Sequence, residues 1–339
     1  PWSAPTGLRA RPTCLSLRLS FNFCCSRPLH GAAAKRAEMS RLRQTHPDAA
    51  AGTHAVPPPD APVYRGLTRS EIAFAYNPTR AVANHAAITA DKRRRSDAAL
   101  TRLGGRRDIR YGPHERQLLD IFPAGPGAPV LLYLHGGAWR TLDRRDYAFI
   151  VEPWLDHGVT VALPSYGRLP NCALTQQMRH AREAILWTHA NIAADGGDPD
   201  RLHVAGTSAG AHLLALASHA AECADRIQSM TLASGVYDFE PHRWHDRHLD
   251  MGLTDALVRH ASPIHRPPAR PDLPTLLAVG LQETPEMIRQ TRDYHAQLRS
   301  RAMPAALLEA PGNHFEVGDW FGDASHPIFS HMLKMIQVS

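Results

Sequence analysis

From about residue 108 the chain alternates between short apolar runs and longer amphipathic segments. The β-rich runs predict strands at "RQLLDIFP", "APVLLYLHGG", "VTVALPSYG", "RLHVAG", "QSMTLASG", "LPTLLAVG" and "PAALLEAPG". The segments with an apolar face at helical spacing predict helices at "DYAFIVEPWLDHG", "LTQQMRHAREAILWTHANIA", "AGAHLLALASHAAE", residues 285–301 and the end of the chain. Such alternation indicates an α/β fold, with a mostly parallel central sheet flanked by helices on both faces.

The first part of the chain lacks this alternation. Residues 1–38 are basic and without helical or strand periodicity; we interpret them as sequence upstream of a start at Met39, or alternatively as an organelle-targeting segment. Residues 39–62 are polar and Pro-rich, which predicts a disordered arm. Residues 64–103 predict helices, and the "KRRR" run at 92–95 is interpreted as a solvated helix face. We therefore predict an N-terminal extension over residues 1–62 and one domain over residues 63–339.

Composition changes this picture little. The formal charge of +6 and the pI near 9.3 suggest a protein that binds nucleic acid, but residues 1–38 hold six Lys and Arg residues and only one acidic residue. Removing them from the totals of 38 and 32 leaves 32 basic and 31 acidic residues, so we exclude a nucleic-acid partner. No apolar run approaches the roughly 18 residues that a membrane helix needs. Cys172 and Cys223 lack metal or redox spacing, which favours a reducing, cytoplasmic location.

Ser208 carries the first candidate chemistry. It stands in "AGTSAGA", where a predicted strand meets a predicted helix, and glycines lie two positions away on each side. A serine at so tight a corner is exposed above a helix N-terminus, because small neighbours let strand and helix approach closely. The pattern G-x-S-x-G therefore predicts a nucleophile; the alternative is a plain tight turn.

A serine hydroxyl needs a base, and the base needs an orienting carboxylate. In an open α/β sheet these groups collect after the carboxyl ends of strands. His314 follows the last predicted strand, and Glu283 follows the one before it. We predict Ser208, Glu283 and His314 as the catalytic residues, with Asp238, which also follows a strand, as the alternative acid.

The fourth element is "LYLHGGAWR" at residues 132–140. Backbone N–H groups after a strand can stabilise the negative charge that forms on an attacked carbonyl oxygen. We expect those of Gly137, Ala138 and Ala209 to do so, while Gly136 shapes the turn against the substrate. Trp139 has two open interpretations, as a packing surface for an aromatic substrate or as a core residue.

The histidines of "EPHRWHDRHLD" offer an alternative chemistry. His242, His245 and His248 are spaced by three residues, and Asp246 and Asp250 lie nearby, which could suit zinc. The segment does not have the H-E-x-x-H pattern of a zinc-binding helix, and the surrounding sequence is irregular. We interpret the segment as a polar cap over the active site and expect no metal and no cofactor.

Four motifs, "HGGAW", "AGTSAGAHL", "GLQETPEMIRQT" and "GNHFEV", together resemble the α/β-hydrolase family that includes arylformamidase (kynurenine formamidase) and related carboxylesterases. The similarity begins at "VYRGLTRSEIAFAYN" and runs to near the C-terminus. In that family the acid at the position of Glu283 is usually Asp, and His is more common than Thr at the position of Thr207. The resemblance implies hydrolysis of N-formyl-kynurenine to kynurenine and formate in tryptophan breakdown.

Three functions remain open at this point. The first is an arylformamidase-type serine hydrolase, and the second is a carboxylesterase that uses the same residues on short-chain or aryl esters. The third is a hydrolase-fold protein that binds a ligand without catalysis. The expected partner is a small aryl formamide or ester; the sequence does not give the oligomeric state and is compatible with a homodimer.

Overall fold

The computed structural model describes residues 61–338, except for the side chains of residues 246–248. The predictions for residues 1–60 lie outside the described residues, so the boundary between residues 62 and 63 stays a prediction. No helix within the described range is long and apolar enough to span a membrane.

The described chain forms a single eight-stranded sheet in the order β1-β2-β4-β3-β5-β6-β7-β8. The strands are β1 (Arg106–Arg110), β2 (Leu118–Phe122), β3 (Ala128–Leu134), β4 (Thr160–Pro164), β5 (Gly197–Thr207), β6 (Ser229–Ala233), β7 (Thr275–Gly280) and β8 (Ala305–Ala310). The pairs β1–β2 and β2–β4 are antiparallel, and the remaining pairs are parallel. The predicted mostly parallel sheet is confirmed.

Helices cover both faces of this sheet. They are α1 (Arg69–Ala75), α2 (Pro78–Ala81), α3 (His85–Arg102), α4 (Val151–Asp156), α5 (Leu174–Asn191), α6 (Ala209–Ala217), α7 (Ala221–Ala224), α8 (Asp255–His260), α9 (Pro285–Ser300) and α10 (Pro327–Gln337). Six 3₁₀ segments complete the described chain at Arg144–Ile150, Ile192–Asp195, Glu240–Trp244, Asp246–Met251, Pro263–His265 and Glu316–Gly322.

Strand alternation divides the apolar residues between two cores. Successive side chains of a strand point to opposite faces of the sheet. In β3, Leu132 and Leu134 pack into the core beneath α5 and α6, whereas Leu131 and Tyr133 pack into the core beneath α4 and α10. Because both faces are covered, the central strands are apolar at almost every position, which is why their sequences are continuous apolar runs.

Three elements differ from the predictions. The segment "DYAFIVEPWLDHG", predicted as one helix, begins within the 3₁₀ segment Arg144–Ile150 and is α-helical only over Val151–Asp156. Strand β1 was not predicted because its sequence, "RRDIR", is polar and mostly exposed at the edge of the sheet, where only one neighbour covers it. The helix predicted over "AGAHLLALASHAAE" ends at Ala217, and a separate short helix begins at Ala221. Ser218 lies between them, and its hydroxyl donates to the carbonyl of Ala215, a local bond typical of a helix end.

Candidate active site

Ser208 links β5 to α6 in a strained conformation. Its backbone has φ 53° and ψ −119°, a region that residues with a side chain rarely adopt and that costs about 1–3 kcal/mol. A Cβ on Gly206 would lie 2.8 Å from the carbonyl oxygen of Leu134, and one on Gly210 would lie 2.0 Å from the same atom. The strand and the helix are therefore packed so closely that only glycine fits on either side of the serine.

The loops after β7 and β8 bring two further predicted residues to Ser208. His314 Nε2 lies 3.0 Å from Ser208 Oγ, and His314 Nδ1 lies 2.5 Å from Glu283 Oε2. The side chain of Glu283 is fully buried, and that of His314 is 12% exposed. A hydroxyl, an imidazole and a carboxylate thus form one hydrogen-bonded chain that ends at the serine.

The second carboxylate oxygen of Glu283 is also engaged. Oε1 accepts hydrogen bonds from the hydroxyl of Ser234 and, at 3.1 Å, from the backbone N–H of Gly280. A buried carboxylate is tolerated only when such donors compensate for lost hydration. The sequence reasoning missed Ser234; the available signal was a hydroxyl directly after β6, at the same edge of the sheet.

Asp238, the alternative acid, lies in different surroundings. Its Oδ2 accepts a hydrogen bond from the hydroxyl of Tyr64 at 2.5 Å, and its Oδ1 accepts one from the backbone N–H of Glu240. The carboxylate that contacts His314 is that of Glu283.

The loop after β3 exposes backbone donors. Gly137 and Ala138 have φ values of 118° and 50°, and a Cβ on Gly137 would lie 2.0 Å from the carbonyl oxygen of Thr141. Within residues 61–338, no protein group accepts a hydrogen bond from the N–H groups of Gly137, Ala138 or Ala209. These are the three donors that the sequence predicts for an oxyanion.

A cavity of about 300 Å³ opens onto Ser208 and His314. Its wall contains apolar and aromatic side chains together with a few polar ones: Tyr76, Pro78, Thr79, His85, Thr89, Lys92, Gly136, Gly137, Ala138, Trp139, Thr141, Leu142, Asp146, Tyr147, Thr207, Val236, His242, Met287, Phe315 and Gly318. A pocket of this size and character suits a small organic molecule.

Trp139 is both a core residue and part of the cavity wall, which is compatible with both of its interpretations. Its ring is 3% exposed and packs edge-on against Phe239, yet it also lines the cavity. Its Nε1–H donates to Nδ1 of His212 at 3.1 Å, which fixes the ring. Gly136 lies against the turn at Ser208, since a Cβ on Gly136 would be 3.2 Å from the Cβ of Ser208.

The family model described as "alpha/beta hydrolase fold" matches residues 131–324, more than half of the chain. The chain belongs to the α/β hydrolase fold family. The matched range contains Ser208, Glu283, His314 and the loop after β3.

Relatives of this α/β hydrolase include enzymes with two kinds of name. Kynurenine formamidase of Danio rerio is 23% identical over 299 residues, which cover 80% of this chain and 98% of the relative. Esterase LipQ of Mycobacterium tuberculosis is 38% identical over 148 residues, or 39% of this chain and 35% of the relative. The crystal structure of an inhibited esterase B from Lactobacillus rhamnosis shares the fold, with a TM-score of 0.59, 20% identity and coverage of 76% and 96%. The chain is therefore a hydrolase.

Burial keeps two histidines beside the β3 loop of this hydrolase neutral. It lowers the pKa of His135 and of His212 to about 4. His135 Nδ1 lies 2.7 Å from the carbonyl oxygen of Gly136, and His212 Nε2 lies 2.8 Å from that of Ala261. In each case the neutral ring donates to a carbonyl, so the loop that carries the backbone donors rests on hydrogen bonds that persist at neutral pH.

One expectation about α3 of the hydrolase is wrong. The side chains of Arg93 and Arg94 are 63% and 74% exposed, as expected of a solvated face, but Lys92 is buried and lines the cavity. Burial lowers the pKa of the Lys92 ammonium. The ammonium donates to the carbonyl oxygen of Phe315 and lies 3.4 Å from Asp319 Oδ2.

The His-rich segment of the hydrolase lies partly in the cavity wall. His242 lines the cavity and stacks on Phe239 with ring centroids 4.4 Å apart, and His245 is also buried. The side chains of Asp246 and His248 lie outside the described residues. Across the rest of the described chain, no group of three or more His, Cys, Asp or Glu side chains is arranged to hold a metal ion.

Proposed function

We propose that the chain is a serine hydrolase in which Ser208 is the nucleophile. The observation that carries the proposal is the 3.0 Å distance between Ser208 Oγ and His314 Nε2. Glu283 accepts a hydrogen bond from His314 Nδ1–H, which leaves Nε2 free to accept the serine proton. The carboxylate also stabilises the imidazolium that forms as the proton moves.

The attack builds a negative charge on the substrate's carbonyl oxygen. The N–H groups of Gly137, Ala138 and Ala209 are the donors that we assign to this oxygen, because they have no partner within the described protein. Donors held in place before the reaction cost no reorganisation, and the loss of one donor typically costs about 3–4 kcal/mol of transition-state stabilisation. Gly137 and Ala138 have positive φ values in this loop; glycine adopts its value freely, whereas Ala138 does so at a cost in backbone strain.

We propose the formamide of N-formyl-kynurenine as the substrate, in tryptophan breakdown. Ser208 attacks the formyl carbon, the C–N bond breaks, and His314 gives its proton to the leaving arylamine. The products of this half-reaction are kynurenine and a formyl-serine. Water, deprotonated by His314, then attacks the formyl-serine and releases formate and the free serine.

Two observations support this substrate. The similarity to the Danio rerio kynurenine formamidase extends over 98% of that protein. The cavity is walled by the rings of Tyr76, Trp139 and Phe315, which offer apolar contact to an aryl group.

A carboxylesterase is the second candidate. The 38% identity to esterase LipQ favours it, although that match covers 39% of this chain. A Ser-His-acid arrangement attacks formamides and esters by the same steps, so the cavity wall decides between the two substrates.

The test compares kcat/KM for N-formyl-L-kynurenine with kcat/KM for 4-nitrophenyl acetate in the wild type and in Ser208→Ala. A strong preference for the formamide, lost in the variant, supports the formamidase. Turnover of the ester alone supports the carboxylesterase. If neither substrate reacts and a fluorophosphonate does not label Ser208, the chain is a binding protein and the proposal is wrong.

A further inference from the structure

Lys92 is a buried cation in the substrate cavity that the hydrolytic steps do not use. It stands on α3 in register with His85 and Thr89, at spacings of four and three residues, and all three line the cavity. Residues at these spacings share one face of a helix. A polar stripe of α3 therefore faces the cavity and not the solvent.

The ammonium of Lys92 has a donor left for a ligand. An ammonium group carries three N–H donors. Within residues 61–338, the carbonyl of Phe315 and the carboxylate of Asp319 take two of them. The ring centroids of Tyr147 and Phe149 each lie 5.9 Å from the nitrogen, so aromatic rings flank the ammonium, while Lys92 also lines the cavity.

Gly318 provides the space for this group. A Cβ at Gly318 would lie 2.7 Å from Lys92 Nζ, and Gly318 itself lines the cavity. The absence of a side chain at Gly318 lets the ammonium reach the cavity wall. A glycine and a buried lysine thus combine to put a positive charge at this wall.

Asp146, the one acidic residue in the same wall, is already satisfied. Its Oδ1 accepts two hydrogen bonds from Arg93, at 2.8 and 2.6 Å, and its Oδ2 accepts the backbone N–H of Asp143 at 2.8 Å. Asp319 is paired with Arg95 as well as with Lys92. The acids near Lys92 are thus neutralised by the arginines of α3, whereas Lys92 keeps a free donor.

We propose that Lys92 binds a carboxylate of the substrate and so makes the enzyme selective for aryl substrates that carry one. Burying an ammonium that lacks a full set of hydrogen-bond partners costs free energy, and a carboxylate bound in the cavity would offset that cost. The inference rests on the proposed function, since it assigns the class of molecule that Ser208 attacks. The amino-acid carboxylate of a formyl-kynurenine substrate belongs to that class.

The test measures binding, which needs no turnover, so its failure is separate from failure of the proposed hydrolysis. Calorimetry compares 4-phenylbutyrate with the neutral 4-phenylbutanamide, which has nearly the same size, in the wild type, Lys92→Met and Arg94→Met. Arg94→Met is the matched control, because it also removes one positive charge from α3. The side chain of Arg94 is 74% exposed and paired with Asp91. We expect the wild type and Arg94→Met to prefer the carboxylate by about tenfold or more, the worth of one hydrogen bond between charged groups, and Lys92→Met to lose the preference.

Three results would overturn the assignment: equal affinity of the wild type for both compounds, an unchanged preference in Lys92→Met, or an equal loss of preference in Arg94→Met. Thermal melting checks that the variants are folded. If Lys92→Met does not fold, Lys92→Gln takes its place in the comparison. If neither variant folds, equal affinity of the wild type for both compounds would still overturn the assignment. A variant that keeps the preference but has a lower kcat on 4-nitrophenyl acetate would make Lys92 a positioning residue for the His314 loop.

Discussion

Replacing Glu283 by glutamine removes the charge beside His314 and keeps a side chain of nearly the same size. Oε1 of Glu283 accepts hydrogen bonds from Ser234 and Gly280, so the amide oxygen of the variant keeps this position. The amide NH₂ must then face His314 Nδ1, where the carboxylate Oε2 stood at 2.5 Å. A donor at that place requires Nδ1 to be the acceptor, which moves the ring proton to Nε2.

This tautomer blocks the proposed reaction. With a hydrogen on Nε2, His314 cannot accept the proton of Ser208, whose Oγ lies 3.0 Å away. The variant also loses the charge that stabilises the imidazolium in a site where the carboxylate is fully buried. In hydrolases of this chemistry the equivalent change costs about 10⁴-fold in kcat, which corresponds to about 5 kcal/mol of transition-state stabilisation.

The assay is kcat on the better of the two substrates, together with the rate at which a fluorophosphonate labels Ser208. Both should fall by about three to four orders of magnitude, because both need the same proton transfer. Asp238→Asn is the control, since Asp238 bonds Tyr64 and Glu240 and does not contact His314; its kcat should change less than about threefold. A loss below tenfold in Glu283→Gln, or a larger loss in Asp238→Asn, would refute the role that we assign to Glu283.

Three further predictions follow from the same geometry. Ser208→Gly should be inactive and yet melt at a higher temperature, because glycine adopts φ 53° without strain; an unchanged or lower Tm would contradict the strain argument. Ser234→Ala should lower kcat by about tenfold through the lost hydrogen bond to Glu283, with Tm measured alongside as a check on folding. Burial lowers the pKa of His212 to about 4, so the imidazole stays neutral in the folded protein down to that pH. In the unfolded chain the imidazole takes up a proton below its usual pKa of 6.5, so stability is lost as pH falls from 6.5 to 4. In His212→Gln the slope of the unfolding free energy against pH should decrease by about 1.4 kcal/mol per pH unit in that window, as measured by urea titration; an unchanged slope would show that His212 does not contribute.

The apolar pattern by itself determined the fold class and most of the central strands. Runs such as "APVLLYLHGG" and "LPTLLAVG" are apolar at successive positions because helices cover both faces of the sheet. Strand β1 escaped this reasoning, since an edge strand needs few apolar residues and its sequence is mostly charged.

Local sequence also predicted the turn around Ser208. The glycines at 206 and 210 report a close approach of strand and helix, which depends on residues only a few positions apart. The positions of Glu283 and His314 were predicted from the rule that functional groups gather after the carboxyl ends of parallel strands.

Only the tertiary structure decided which groups meet. Glu283 and Asp238 both follow a strand, and the sequence left both open as the acid; the structure brings the Glu283 carboxylate to 2.5 Å from His314 and pairs Asp238 with Tyr64. Ser234 joins this group from a third loop. Such contacts span 31 to 174 positions of sequence, and they depend on how several loops converge at one edge of the sheet.

The position of Lys92 makes the same point. In the sequence it opens a run of four basic residues, and nothing distinguishes it from Arg93, Arg94 and Arg95. Its burial depends on the rotation of α3 about its axis and on the space left by Gly318, more than 200 positions away. A charge pattern shows which residues can be solvated, but the packing of distant elements determines which of them is enclosed.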